Sequence, residues 1–320
     1  MNKRLRKQHQ HLHQRLLQFL LQFLLLMQML LPLTVPAFAD EKPQDVDEII
    51  TNIKMRAESG AKARYSIATA MGYSAGPLKN TFSDYRPNLS GGTGSTDFAS
   101  FSFTVSGKYN LNTQHSLFAG IGGRWITPLR AGTPKSSDPA KNFTGDKVDV
   151  ENPYITYQYL YRLWGIQNSF SASETFYTNS NLQRLGYVTN WSIGQNSLWD
   201  IGATGLTFGL NAAFNVGYFD KHTEKAKAAQ STYGITLTPA LEYRVNKWMN
   251  ARTDLYIFSV QHRRNRDELT TVVRQKVVQG FTLGFAVTRD IYISPGIQWN
   301  PSEMKPERTT TWLSANINIF

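Results

Sequence analysis

From Lys62 to the end of the chain, apolar and polar residues alternate with a period of two, and no other feature constrains the fold as tightly. Ala63, Tyr65, Ile67, Thr69, Met71 and Tyr73 oppose Lys62, Arg64, Ser66, Ala68, Ala70 and Gly72. Phe101, Phe103, Val105 and Tyr109 oppose Ser100, Ser102, Thr104, Ser106 and Lys108. The same pattern runs through 206–218 and 233–246. Successive side chains of a strand point to opposite faces, so each run has one apolar face and one that is small, polar or charged.

A soluble sandwich also alternates, with its apolar face in the core. Two features favour a barrel that crosses a bilayer. Many runs reach eleven residues or more, the length of a tilted membrane-crossing strand. Tyr65, Tyr73, Trp125, Tyr233, Tyr243 and Trp299 stand near the ends of apolar faces, where interfacial aromatic girdles belong.

The spacing predicts strands near 62–78, 97–111, 116–129, 151–164, 166–178, 186–195, 205–219, 232–245, 248–260, 272–288, 290–300 and 309–320. Connections then alternate in length. Those at 79–96, 130–150, 179–185, 220–231, 261–271 and 301–308 are mostly long, whereas Asn112–His115, Asn246-Lys247 and Arg289-Asp290 are tight. The link around residues 195–204 is the exception, longer than its position requires. A sandwich gives no reason for this regularity; an even-stranded barrel with tight turns at one end and long loops at the other does. The expected fold class is all-β, a 12-stranded antiparallel transmembrane β-barrel over 62–320.

The start of the chain reads differently. Lys3, Arg4, Arg6, Lys7 and Arg15 precede Leu16–Pro36, which has no formal charge, and Ala37-Phe38-Ala39 follows. This is the pattern of a signal peptide over 1–39, cleaved before Asp40. His9, His11 and His13 belong to its polar extension. Those five basic residues are part of the net charge of +11, leaving +6 on the remainder, so a nucleic-acid partner is not expected. Residues 40–61 are charged, with Val46, Ile49, Ile50 and Ile53 at helical spacing, which predicts a periplasmic segment with a short helix. The chain has no cysteine, excluding disulfides, thiolate zinc and a Cys nucleophile.

The exported start, girdled strands, alternating connections and terminal Asn316–Phe320 resemble a Gram-negative outer-membrane β-barrel of the porin or channel kind. The resemblance implies an outer-membrane location, contact with lipid and lipopolysaccharide, and recognition of the last strand by the barrel-assembly machinery. It is a likeness to an architectural class and implies no particular activity.

If apolar positions face lipid, the opposite face lines the interior. It holds Lys62, Arg64, Lys108, Arg124, Arg162, Arg244, Arg252, Arg274 and Lys276 against the acids Glu242 and Asp254. A basic charge on the lipid side at mid-membrane would cost about 2–4 kcal/mol, which favours the interior placement. This set predicts a passive channel for small anionic solutes through a basic lumen. The alternatives are an internal salt-bridge network bracing a narrow cylinder, and a closed barrel whose outside loops bind a partner.

Three residues break the pattern. Glu174 shares the phase of Phe170 and Phe176, which calls for a bulge; Gln279 has a similar conflict beside Phe281. Phe320 falls in phase with Trp312 and Asn318, opposite Leu313, Ala315, Ile317 and Ile319.

Hydrolase readings rank lower. His115, His222 and His262 are not expected mid-strand, where a wall-mounted Ser–His pair would need its base. Asp220 and His222 resemble a rim protease pair, but Asp84 has no second aspartate to complete the carboxylates. No catalytic residue, metal ligand or cofactor is assigned.

Overall fold

The computed structural model describes residues 45–89, 96–129, 147–178, 182–183, 185–221, 223–256 and 258–319. The expected signal peptide, its cleavage point, His222 and Phe320 lie outside the described residues.

Two short helices, α1 (Val46–Ile49) and α2 (Ile53–Glu58), stand where the spacing predicts one. Each has its own N-terminal cap. Asp45 accepts the Asp47 N–H at 3.1 Å, and Asn52 accepts the Met55 N–H at 3.0 Å. Between the helices Ile50 is extended, with φ −116° and ψ 104°.

The strands follow. β1 (Tyr65–Pro77) leads to the small pair β2 (Tyr85–Pro87) and β3 (Thr96–Phe98). Then come β4 (Ser100–Asn110), β5 (His115–Ile126), β6 (Val148–Leu163), β7 (Ile166–Phe176) and β8 (Tyr187–Asp200). β9 (Leu206–Phe219) precedes helix α3 (Glu224–Ala229) and β10 (Ser231–Arg244). β11 (Met249–Tyr256), β12 (Phe258–Arg263), β13 (Val272–Arg274), β14 (Val278–Ala286), β15 (Ile291–Trp299) and β16 (Thr310–Ile319) complete the chain.

β11 and β12 succeed one another along β10, and β13 and β14 run alongside them, so each pair fills one place in the wall. β16 pairs with β1 from Ile67↔Ile319 to Ser74↔Trp312, closing a ring of twelve antiparallel strand positions. Closure removes the unpaired edges an open sheet would present.

Apolar positions form the outer wall: Tyr65, Ile67, Val105, Ile121, Trp125, Leu241, Tyr243, Leu313 and Ile319 are all exposed. One end of the barrel carries the tight turns. At that end Trp164 and Gly165 both adopt positive φ, 51° and 79°, as a two-residue hairpin requires. β8 continues to Asp200, so the link that reads as long from the sequence is a turn at 201–205. Trp199 keeps the outward phase of Trp191, which extends the strand.

Among several register shifts in the described residues, two reverse the alternation within the wall for residues named above. Near Asn152 (φ 42°) the β5–β6 register shifts, carrying the outward phase from Val148 and Val150 to Ile155. Between Ala240↔Asp254 and Leu237↔Phe258, β10 advances three residues while its neighbour advances four. That extra residue flips every side chain beyond it. Glu174 needs no bulge, contrary to expectation: it pairs in unbroken register with Ile155 and Trp191 on the outer wall. Gln279 also faces outward and donates to Thr253 Oγ1 at 3.4 Å.

Candidate functional site: the interior and the segment folded into it

Residues 45–61 fold back against interior-facing side chains at the tight-turn end. Ile49, Ile50 and Met55 pack on Leu160 of β6 and Leu198 of β8, which retain 2% and 1% of their exposure. On the other side Ile53 and Ala57 meet Tyr292 of β15, with Ala286 beside them. The apolar spacing that predicts an amphipathic helix is therefore spent on two sockets facing different parts of the wall.

Polar side chains complete the fit. Gln167 Oε1 of β7 accepts the Thr51 and Asn52 N–H groups at 2.7 and 2.9 Å. Lys108 Nζ of β4 donates to the carbonyls of Ser59 and Ala61 at 2.6 and 3.1 Å. Asn318 of β16 donates to the Ala57 carbonyl at 2.8 Å. Gly60 makes the Lys108 contact practicable: its φ is +81°, and a Cβ there would sit 2.8 Å from Lys108 Cδ. Gly60→Ala is expected to loosen this closure through both strain and crowding, read as faster proteolysis of residues 45–61 in the folded barrel.

A second buried cation of the wall is Arg252 on β11. It donates to Asp254 Oδ1 through Nε at 2.8 Å, forms an ion pair with that oxygen through Nη2 at 2.7 Å, and lies 3.5 Å from Glu242 Oε2 through Nη1. The other Glu242 oxygen accepts from Asn52 Nδ2 at 2.7 Å, tying this network to the folded-back segment. Thr51, Asn52, Asp200, Thr207, Glu242 and Arg244 line a recess beside it.

The remaining residues expected to line the interior divide by position. Arg162 reaches Thr51 Oγ1 at 3.4 Å. Arg124 stands 3.9 Å from Asp97 of β3 at the long-loop end, and Lys276 stands 3.4 Å from Glu303 in the last long connection. Lys62 precedes β1 and pairs with Asp45 and Asp47 at 2.7 and 2.6 Å. Arg64 does not line the interior: it donates to the Tyr109 hydroxyl at 2.8 Å, its guanidinium 5.5 Å from that outer ring. Being ahead of the first strand residue, it is free of the alternation. Arg274 is likewise displaced. It pairs with Val260, while Ser259 and Gln275 bond at 3.0 Å on the opposite face. The extra residue after Asp254 turned it outward.

Between the charged ends, the interior wall is built mostly from hydroxyls, amides and glycine, with Tyr256 of β11 in the same phase. β4 contributes Thr104 and Ser106, β7 Ser169, Ser171 and Ser173, β9 Asn211 and Asn215, and β10 Thr236 and Thr238. These residue types carry no formal charge. The basic excess counted in the sequence is spent at the two ends.

Lys62 gives the closure a modest pH dependence. Asp45 lies below its ordinary pKa, chiefly through the hydrogen bond from Lys62, and Lys62 lies above its own, chiefly through Asp45 and then Asp47. The Asp45 contribution is complete above the ordinary carboxylate pKa of about 4 and is lost as pH falls through its lowered value. The Lys62 contribution is complete below about pH 10.4 and is lost as pH rises through its raised value. Both groups are well exposed, so screening keeps the effect small. Protease nicking of residues 45–61 is expected to be flat from about pH 4 to 10.4 and to rise beyond either limit; a maximum at neutral pH would contradict the linkage.

His115 and His262 belong to the outer wall, among tyrosines. His115 Nδ1 lies 2.6 Å from the Tyr157 hydroxyl and its ring stacks on Tyr159, while His262 stacks on Tyr233.

No family model matches the chain, and no curated protein matches it. Several solved structures are similar. An outer membrane channel from Pseudomonas putida F1 aligns with a TM-score of 0.49 at 10% identity, covering 81% of this chain and 97% of that one. The NanC porin gives 0.43 at 10% identity, covering 79% and 98%. The outer membrane protein Omp33 of Acinetobacter baumannii gives 0.37 at 8% identity, covering 80% and 98%.

Proposed function

We propose that the chain is an outer-membrane barrel that passes small polar solutes passively, with residues 45–61 closing its periplasmic end at rest. The carrying observation is the hydroxyl- and amide-lined middle of the interior, which offers hydrogen bonds to a dehydrating solute without a fixed charge to trap it. The outer wall supports the membrane location: its apolar belt suits lipid, and its long-loop end suits lipopolysaccharide. β16, with Leu313, Ala315, Ile317 and Ile319 outward, is the strand offered to the barrel-assembly machinery. The protein has no enzymatic role in this reading.

The basic residues of the sequence predict an anion preference, and the geometry supports only a weak one. Arg252, Arg124, Lys276 and Lys62 each have carboxylate neighbours, and Lys108 is engaged by peptide carbonyls. Planar-bilayer reversal potentials in a KCl gradient are therefore expected to give a chloride-to-potassium permeability ratio above unity by no more than a few-fold. Strong cation selectivity would overturn this reading of the interior.

The folded-back segment also favours a second reading, a closed barrel whose outside loops bind a partner. Absence of conductance steps both from the full chain and after removal of residues 45–61 would sink the channel and leave that reading.

A further inference from the structure

Beside its apolar packing, the Asn52–Glu242 bond and the Asp47–Arg289 ion pair, the closing segment is held through its peptide groups. Gln167 accepts two successive N–H groups, and Lys108 donates to two carbonyls. Asn110 Nδ2 reaches the Ala61 and Ala63 carbonyls at 3.1 and 2.6 Å. Arg289 Nη1 reaches Gly60 at 3.3 Å, and Asn318 reaches Ala57 at 2.8 Å. Here five polar side chains, from β4, β7, β16 and the β14–β15 turn, meet main-chain donors and acceptors, which every peptide shares. Two apolar sockets, Leu160 with Leu198 and Tyr292 with Ala286, take aliphatic side chains. Main-chain hydrogen bonds for affinity and pockets for side chains are the division of labour found in peptide recognition.

We infer that the periplasmic end of the interior is a binding site for short peptides carrying aliphatic side chains, and that residues 45–61 are its built-in occupant. The inference rests on the channel reading, since a peptide that takes the segment's place there controls passage. A tethered occupant competes at an effective concentration of millimolar order, so a free peptide binds well only when the tethered one is gone.

The test uses the full chain lacking only residues 45–61, its folding checked by the heat-dependent gel mobility shift. Synthetic 45–61 peptide, a scrambled version of it and an equally long Gly/Ser peptide are added to the conducting protein in planar bilayers. The native and scrambled peptides should both block reversibly, with half-blocking concentrations within about tenfold of each other, because scrambling keeps every peptide group and every aliphatic side chain. The Gly/Ser peptide should be at least about tenfold weaker, having nothing for the sockets. Lys108→Met and Gln167→Leu should each raise the half-blocking concentration about tenfold. Block by the native order alone, equal block by Gly/Ser peptide, or no block of a conducting channel overturns the inference. If the deleted protein does not conduct, the channel reading fails separately. Fluorescence anisotropy of labelled peptide on the detergent-solubilised protein then decides the binding site. Should the deletion not fold, the same anisotropy measurement is made on full-length Ile50→Asp, where weaker binding than to an unrelated detergent-solubilised barrel overturns the proposal.

Discussion

In-frame deletion of residues 45–61 will raise the mean conductance of the purified protein at least about tenfold, since a closure worth only about 1.4 kcal/mol net is seated in about nine molecules of ten. Burial of the segment's apolar side chains supplies the favourable side of that balance. Ile49, Ile50 and Met55 are almost fully buried, and each such side chain contributes about 1.5–3 kcal/mol relative to exposure. Opposing this is the conformational entropy lost when the segment is ordered, which leaves it displaceable. The loss is confined to the closure, because the β1–β16 seam that shuts the ring starts at Ile67 and does not involve these residues. Ile50→Asp should act in the same direction by placing a carboxylate against Leu160 and Leu198, an apolar socket with nothing to solvate it. If the deletion leaves conductance unchanged while the barrel still shows its heat-dependent mobility shift, residues 45–61 are not the closure.

The wall was legible because its two faces meet different surroundings. Leu313, Ala315, Ile317 and Ile319 cannot exchange places with Ser314, Asn316 and Asn318 without putting amides on the outside, so the alternation fixes phase strand by strand. It fails where one residue is added. Nothing in the stretch after Asp254 announces the extra residue, and Arg274 consequently changes sides. It also says little about long side chains at strand ends, where Arg64 bends outward to Tyr109. The closing segment was the larger omission. Its helical spacing showed an apolar stripe but not what would cover it, and the two caps at Asp45 and Asn52 split it toward separate sockets. Gln167, Asn110 and Asn318 went unmarked because neutral amides on an interior face are ordinary; only their common orientation toward one backbone sets them apart. A buried Leu160 and Leu198 in the interior phase were the available signal, since apolar residues on the polar face need an apolar partner.

Arg252→Met is expected to destabilise the barrel by about 3–5 kcal/mol, the cost typical of removing one partner from a buried ion pair. Arg252 retains 7% of its exposure and Glu242 3%, so the Glu242 carboxylate left behind is poorly hydrated. Asp254 loses the hydrogen bond and ion pair it has with the guanidinium, and Glu242 is left with the neutral Asn52 amide in place of a cation. Met matches much of the length of the lost side chain but supplies no charge or donor. The measurement is the urea midpoint of the gel mobility shift, compared with the Arg252→Met, Glu242→Gln, Asp254→Asn triple variant. If the damage comes from uncompensated charge, neutralising both acids recovers most of it, because buried ion networks are often replaceable as a whole though not in part. The triple variant should still leak, since Glu242→Gln leaves Asn52 an amide oxygen, a weaker acceptor than a carboxylate, and the closing segment is held less firmly. A triple variant as unstable as Arg252→Met would place the loss in packing around the guanidinium, and the network would then be a filler of the interior and not its electrostatic brace.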